Sequence, residues 1–300
     1  MRILVLGGRG YLGSFFVGYC HSIGQSVVSV STATFAGFSG RRIESYSERC
    51  LFELFSSERP EVVLNTVALA DVDQCETDPV LAEEMNTALP EALARLSGRL
   101  NFQLIHISTD QLWGTVRVDP FDRDYVSPVN VYGQTKAEGE RRILNNCTSA
   151  VVVRVNFFHR LLAKDVNSGR EKISFFPWVL QSYEDDLEIC GFDDIVYTPL
   201  FSHDLCDFIL FAAHQKLYGL FEIGCSEPIT KYGFIKKVWE HLDQISGNHK
   251  SGLVKPLSLD QAQLVARRPK NMCLHENVSA SGFKFEPSIE LAIRRSLIGI

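Results

Sequence analysis

The stretch "RILVLGGRGYLG", residues 2–13, constrains the fold more than any other part of the chain. "RILVL" is a continuous apolar run, as expected for a strand buried on both faces. It stops at paired glycines. Gly7, Gly10 and Gly13 then fall in G-x-x-G-x-x-G spacing at the head of a helical run from about Tyr11 to Ile23. Glycines at such a turn let the backbone approach a pyrophosphate and let the helix pack close to the sheet. A bare glycine pattern is a weak signal. The strand before it and the helix after it give it weight, and the expectation is a dinucleotide-binding βα unit.

The next segments repeat the alternation. Strands are expected at "SVVSVS" (26–31), "EVVLNTVA" (61–68), "FQLIHIST" (102–109) and "AVVVRVNFF" (150–158). "TATFAGFSG" (32–40) reads as a loop. Helices are expected at 49–60, stopped by Pro60, and at 78–98, with a kink at Pro90. "SPVNVYGQTKAEGE" (127–140) opens another, with Pro128 and Asn130 as start signals. Alternation of this kind gives the α/β class: a doubly wound parallel (Rossmann) sheet with helices on both faces.

After Phe158 the rhythm breaks into short mixed elements. The expected division is a dinucleotide-binding domain over 1–158 and a smaller, mixed substrate domain over 159–300. The two are interleaved, with about 195–225 returning to the Rossmann part. A chain of 300 residues suits one large domain or two intimately packed ones.

Composition excludes several classes. A net charge of −6 argues against a sequence-independent nucleic-acid binder. The longest apolar stretch, near "FILFAA" (208–213), is far below membrane-spanning length. The apolar N-terminus is too short for a signal peptide and lacks a cleavage site. The eight cysteines include no CxxC pair and the eight histidines no HExxH or HxH pair, so no metal site is signalled. Reduced thiols and a cytoplasmic location are the expectation.

Chemistry concentrates at two places. Tyr132 and Lys136 lie at i and i+4, on one face near a helix start. "HISTD" (106–110) ends a strand, and ligands of parallel sheets bind outside the carboxyl ends of strands. Ser108 and Thr109 therefore share an edge with the glycine loop. In this reading Thr109 holds a substrate carbonyl oxygen and Tyr132 delivers a proton. Lys136 binds the nicotinamide ribose and lowers the phenol pKa from its reference near 10.

The acid that usually accepts the ribose hydroxyls of NAD is missing. No Asp or Glu precedes Glu44, and the end of the second strand is Ser31 and Thr32. Arg9 lies in the glycine loop, and Arg41 and Arg42 follow the second strand. Arginine suits a 2′-phosphate, so NADP(H) is expected, with NAD(H) the alternative.

At this point the chain resembles the extended short-chain dehydrogenase/reductase superfamily, and within it the dTDP-4-dehydrorhamnose reductase-like proteins. The segments that carry the likeness are "GGRGYLG", "VVLNTVALADVDQCETDP", "MNT" (85–87), "HISTDQLWG", "SPVNVYGQTKAEGE", "VVRVNFF", "YTPLF" and "RRPKNMCL". They run in order from residue 3 to about 274, and the Tyr–Lys segment is the most specific. The resemblance implies Thr109, Tyr132 and Lys136 as the catalytic triad. It implies a cofactor lining of Gly7, Arg9, Gly10, Tyr11, Leu12, Gly13, Thr32, Arg41, Asn65, Val67, Ala68, Ala70, Ser108 and Asn156. Asp71, Val72, Gln111, Phe157 and Trp178, with Thr109, would face the substrate.

Departures fall on that substrate side. Gln111 stands where the reductases commonly have tyrosine, Ala70 where they have threonine, and Phe157 where they have tryptophan. The usual "D-x-T-D" acid cluster is absent. These differences leave the sugar open.

Plainer roles compete for other residues. His106 reads as a satisfied core histidine. His203 with Asp204 reads as a helix cap rather than a dyad. Asp71, Asp73 and Glu76 read as a solvated helix N-terminus rather than a metal cluster. Phe157, Phe158, Phe175, Phe176 and Trp178 suit core packing or base stacking equally.

The implied function is NADPH-dependent reduction of the 4-keto group of a nucleotide-linked deoxysugar. A sugar-nucleotide epimerase or dehydratase is the enzymatic alternative. The missing ribose acid counts against the first, and the lack of a Glu beside Asp110 against the second. A third reading is a non-catalytic NADP-binding subunit, resembling the beta subunit of methionine adenosyltransferase. The oligomeric state is open, a homodimer included.

Overall fold

The structure is a computed structural model that describes residues 1–32, 40–114, 125–160 and 173–298. Its chain order begins β1 (Ile3–Leu6), α1 (Tyr11–Ser22), β2 (Val27–Ser31), β3 (Arg41–Arg42), α2 (Glu48–Glu58) and β4 (Val62–Asn65). It continues through α3 (Val72–Thr77), α4 (Pro79–Glu83), a π-helical turn (Glu84–Ala88), α5 (Leu89–Leu100), β5 (Gln103–Ile107), α6 (Val131–Asn146) and β6 (Val151–Val155). Then come β7 (Phe157–Phe158), α7 (Phe175–Glu184), β8 (Ile189–Phe192), β9 (Val196–Tyr197), β10 (Leu200–Phe201), α8 (Ser202–His214) and β11 (Gly219–Ile223). The last elements are β12 (Ile229–Thr230), α9 (Lys231–Ser246), β13 (Val254–Leu257), β14 (Asn271–Met272) and α10 (Ile289–Leu297).

The central sheet has seven parallel strands in the order β11-β6-β5-β4-β1-β2-β3. β1 and β4 are buried at every position, which their unbroken apolar runs require. One face is covered by Phe15, Phe16, Leu205 and Phe208 of α1 and α8. The other face is covered by Leu51, Phe55, Leu93, Leu96 and Ile143 of α2, α5 and α6. The strand order reverses between β1 and β4, and there the carboxyl ends diverge and leave a crevice.

Residues 202–223 return to this layered body, because α8 packs on α1 and β11 pairs with β6. A second core gathers Phe158, Phe176, Tyr197, Phe234, Trp239 and Ile293 from α7, α9, α10 and short strands. Its small sheets are β12-β9-β14, β13-β8 and β10-β7. No helix among the described residues is long and apolar enough to cross a membrane.

Local differences from the sequence reading have physical causes. The expected strand over 61–68 ends at Asn65, whose side chain accepts the Val67 N–H and turns the chain. Arg41–Arg42 forms the short edge strand β3, hydrogen-bonded to β2, where only loop had been expected. The rest of that loop, 33–39, lies outside the described residues, as does the part of the segment before α7 that falls in 161–172.

The 78–98 helix does not simply kink at Pro90. It widens into the π turn at 84–88, one turn before the proline. Proline cannot donate to the residue 86 carbonyl, and a wider turn accommodates the loss. Gly139 of α6 fits against that carbonyl; a Cβ there would lie 2.2 Å from the Asn86 oxygen.

Candidate active site

The glycine loop begins where β1 ends. Gly7 has φ +79°, a conformation open to glycine, and its carbonyl accepts the Gly10 N–H at 2.7 Å. Gly13 sits one helical turn into α1, where a Cβ would come within 2.2 Å of the Gly7 oxygen. The loop is therefore tight and lined by backbone, which is the shape that a pyrophosphate needs. Leu12 is buried beneath it. Tyr11 does not open outward: its hydroxyl bonds the His159 backbone and its ring stacks on the His159 ring at 3.8 Å.

At the end of β2, Ser31 is buried and Thr32 half-buried. Tyr46 reaches this point, its hydroxyl beside Thr32 and the Gly7 backbone. Burial raises its phenol above the usual value, so it is a neutral hydroxyl at the loop. Sequence reasoning missed Tyr46, since only the fold brings it beside residue 7. Arg9 is half-buried within the loop. Arg41 is two-thirds exposed and bonded to Glu58 at 2.7 Å. Arg42 is exposed on the same edge strand.

After β4, residues 65–71 run along the crevice. The Asn65 side chain is not directed at a ligand: it is fully buried, bonded to Val67 N at 3.1 Å and His106 Nδ1 at 2.9 Å. Asn86 of the π turn clamps the segment. It accepts the Leu69 N–H at 2.9 Å and donates to the Leu69 carbonyl at 3.1 Å and to Thr135 Oγ1 at 3.2 Å. The "MNT" segment thus ties the crevice wall to the helix that carries Lys136. Val67 is buried, with Ala68 and Ala70 beyond it on this wall.

Asp71 caps α3 through the Asp73 and Gln74 amides. Asp73 and Glu76 are not merely solvated. Asp73 pairs with Arg268 at 2.9 Å, and Glu76 accepts the Val131 N–H at 2.9 Å. Val72 shares a small buried cluster with Tyr132 and Ala266.

The β5 end and the start of α6 carry Thr109, Tyr132 and Lys136, the groups the sequence reading assigns to the triad. Asn130 caps α6, accepting the Gly133 N–H at 2.8 Å, and so fixes where Tyr132 and Lys136 project. Thr109, Asp110, Tyr132 and Lys136 are all buried. The Thr109 side chain lies beside the Tyr132 phenol, and its hydroxyl donates to Asp110 Oδ1 at 3.3 Å. Gln111 turns back, its amide N–H on Thr109 Oγ1 at 3.2 Å and its side chain toward Asn130 at 3.4 Å. Ser108 donates to Glu140 instead of facing the crevice.

One electrostatic expectation fails in this structure. The Tyr132 phenol is not lowered but pushed up to about 12, chiefly by burial, with the Thr109 hydroxyl opposing and the Asp110 charge adding. Lys136 does not relieve it, because its Nζ is engaged by the Ile107 carbonyl at 2.7 Å and His106 Nε2 at 3.1 Å. Burial pushes the Lys136 amine down to about 8, against the favourable charge of Glu140. His106 is satisfied, as expected of a core histidine, but its partners are Asn65 and Lys136.

Beneath the site lies a buried charge network. Arg154 bonds Glu140 at 2.7 Å and Glu222 at 3.1 Å and lies against Trp113. It joins α6, β6 and β11 under Ser108.

The opposite wall comes from the second core. Burial raises the Asp110 carboxyl to about 6, with the Lys231 charge and the Asn156 bond at 2.7 Å working the other way. Lys231 opens α9, and its Nζ lies 3.4 Å from the centre of the Tyr197 ring. No sequence signal marked Lys231, which is 121 positions beyond Asp110. Phe157 stacks near Tyr11 at 5.9 Å, and Trp178 stacks on Phe175 at 6.0 Å against the second core. Phe158 and Phe176 are core residues. His203 and Asp204 form neither side-chain cap nor dyad: the ring packs on Phe15, Tyr19 and Phe201, and Asp204 bonds Arg295 at 2.7 Å.

The chain belongs to the family described as RmlD substrate binding domain, which matches residues 1–297. It is 22% identical to the dTDP-4-dehydrorhamnose reductase of Aggregatibacter actinomycetemcomitans over 294 residues, covering 96% of this chain and 95% of the relative. The crystal structure of dTDP-4-dehydrorhamnose reductase from Bacillus anthracis in complex with NADP is similar at a TM-score of 0.83 and 21% identity, covering 100% and 99% of the two chains. The UDP-glucose 4-epimerase of Thermotoga maritima shares the fold at a TM-score of 0.77 and 21% identity, covering 99% and 97%.

Proposed function

We propose that this protein reduces the 4-keto group of a nucleotide-linked deoxysugar with NADPH, as an NAD(P)-dependent oxidoreductase. The observation that carries the reading is the burial of Thr109, at the end of β5, beside Tyr132, one turn before Lys136 at the start of α6, on the sheet edge where the glycine loop also begins. The family and the reductase relatives support it.

The residues present fit a dinucleotide. Gly7, Gly10 and Gly13 leave backbone where the pyrophosphate would lie, and α1 offers its N-terminus. Residues 67–70 and Asn156 would border the nicotinamide end. Arg9 or Arg42 would meet a 2′-phosphate, and no carboxylate of β2 opposes it. A bound nicotinamide supplies the hydride.

The chain's own residues handle the proton. Thr109 and Tyr132 would together hold the carbonyl oxygen, and the neutral phenol would donate as negative charge grows there. Because burial holds the phenol up at about 12, it stays protonated until that charge appears. A Lys136 ammonium near the ribose would then stabilise the phenolate. Asp110 and Asn156, bonded to each other, form the rim beside Thr109, and Lys231, Phe157 and Trp178 would close the sugar side.

We take the second core as the unit that supplies most sugar contacts. The test is oxidation of NADPH by the purified protein against a panel of nucleotide-linked 4-keto sugars. Tight NADPH binding with no turnover of any member would favour the non-catalytic reading.

A further inference from the structure

We propose that His106 is a positioning residue for Lys136, with its ring proton fixed on Nε2 by Asn65 and donated to the Lys136 amine. The argument starts from a backbone donor. The Val67 N–H bonds Asn65 Oδ1 at 3.1 Å, so that atom is an acceptor and must be the oxygen. The other end of the amide, Nδ2, faces His106 Nδ1 at 2.9 Å. An amide nitrogen only donates, so Nδ1 accepts. A neutral imidazole has one donor and one acceptor, which leaves the proton on Nε2.

Nε2 lies 3.1 Å from Lys136 Nζ. An ammonium there would set donor against donor. The contact is attractive when Nζ offers its lone pair, and the remaining amine N–H still serves the Ile107 carbonyl at 2.7 Å. Burial, the largest cause, holds the ring well below the usual histidine range, so imidazolium does not compete. The three side chains are 0%, 0% and 1% exposed, and water does not enter this chain of bonds.

Other ionisable groups bear on the amine. Glu140, one turn on in α6, favours the ammonium. Its carboxylate is already engaged by Arg154 of β6 and by Ser108. Glu222 of β11 balances Arg154 from behind. Tyr132, one turn earlier, is neutral. Above about pH 8, Lys136 is thus chiefly a neutral amine in the cofactor-free protein. On the reading given above, it takes one proton from solvent when the anionic dinucleotide occupies the edge, and the ammonium then serves Tyr132. That step costs no unpaired buried charge beforehand.

The test has three arms. Long-range ¹⁵N–¹H correlation on the cofactor-free protein should show His106 as the neutral Nε2–H tautomer, its signals assigned by their loss in His106→Gln. The Nδ1–H tautomer or an imidazolium would overturn the proposal. Asn65→Asp replaces the amide donor by an acceptor, so the ring proton should move to Nδ1 and the amine pKa should rise; an unchanged tautomer overturns the relay, and this variant also assigns the ring if His106→Gln does not fold. NADPH titration at about pH 8.5, in two buffers of different ionisation enthalpy, should show uptake of roughly half a proton or more in the native protein. Binding without uptake overturns the proposal. Absence of binding counts against the cofactor reading, while the tautomer arm still decides this one.

Discussion

The Thr109 hydroxyl and the Tyr132 phenol lie side by side across the gap between the end of β5 and the start of α6, close enough for the hydroxyl to oppose the upward push that burial gives the phenol. Two elements 23 residues apart in sequence therefore present one oxygen-binding pair. Both side chains are buried. Tyr132→Phe should keep dinucleotide affinity and lower turnover by about 10²-fold or more, the usual scale for a general acid. Thr109→Val should raise KM and lower kcat while leaving cofactor affinity alone. Steady-state kinetics beside cofactor titration check both, and full turnover by the phenylalanine variant would remove Tyr132 from the mechanism.

Asp110 gives a pH signature. Its carboxyl is raised to about 6 from an ordinary 3.8, first by burial. The folded state therefore holds the proton more tightly than the unfolded chain. The stability this contributes is fully present below about pH 3.8 and lost as pH rises through about 6. Above that, an ionised carboxylate is buried at a net cost. Asp110→Asn should be more stable than the native protein by about 1–3 kcal/mol near pH 8, with the gap closing toward pH 4. Lys231→Met removes the opposing charge and should move the native protein's stability loss to higher pH still. Urea unfolding across pH decides this, and a less stable asparagine variant at pH 8 would show that Asn156 and Lys231 outweigh the burial.

Asn86 is the third test. It fills both hydrogen-bonding groups of Leu69 and holds Thr135, next to Lys136. Asn86→Ala leaves the Leu69 amide without its partner and its carbonyl with only the weak Cys75 thiol, a loss of about 1–3 kcal/mol for the unsatisfied group. Thermal unfolding should register it. Dinucleotide affinity should fall too, because the 65–71 wall loses its clamp. Loss of stability with unchanged affinity would separate that wall from the cofactor.

The layered sheet, and the placing of Thr109, Tyr132 and Lys136 at one edge of it, were legible because each depends on local pattern. Apolar runs ended by glycine mark buried strands, and the i,i+4 spacing of Tyr132 and Lys136 survives any folding of the rest. What stayed hidden depends on distance in sequence. Tyr46 reaches Gly7, Lys231 faces Asp110, and Arg268 ties Asp73, and none of these pairs has a periodicity that would betray it. The charge state of the triad was also hidden. The Tyr–Lys spacing suggested a lowered phenol, but burial of both groups, and the turn of Lys136 toward Ile107 and His106, produce the reverse. His106 shows the same limit: "buried and satisfied" was correct, yet it did not reveal with whom.

Cofactor choice brings the two levels together. No Asp or Glu precedes Glu44, so no carboxylate on β2 can accept the ribose hydroxyls of NAD, and none there repels a 2′-phosphate. The structure divides the three arginines. Arg41 is bonded to Glu58 at 2.7 Å, whereas Arg9 lies within the glycine loop and Arg42 is exposed on β3. One charge-assisted contact to a phosphate is worth roughly 1.5–3 kcal/mol, or about ten- to a hundred-fold in affinity. NADPH should therefore bind more tightly than NADH by about ten-fold or more at low salt, with the gap narrowing as salt rises. Arg9→Ala should shrink the gap and leave NADH affinity nearly unchanged. Arg42→Ala should shrink it if the phosphate sits toward β3, and Arg41→Ala should matter least, since that guanidinium already has its carboxylate. Calorimetric titration of the cofactor-stripped protein with both dinucleotides measures each value. Equal affinities in the native protein would mean that the arginines serve the solvent, and that Ser31, Thr32 and the Tyr46 hydroxyl hold the ribose by neutral hydrogen bonds alone.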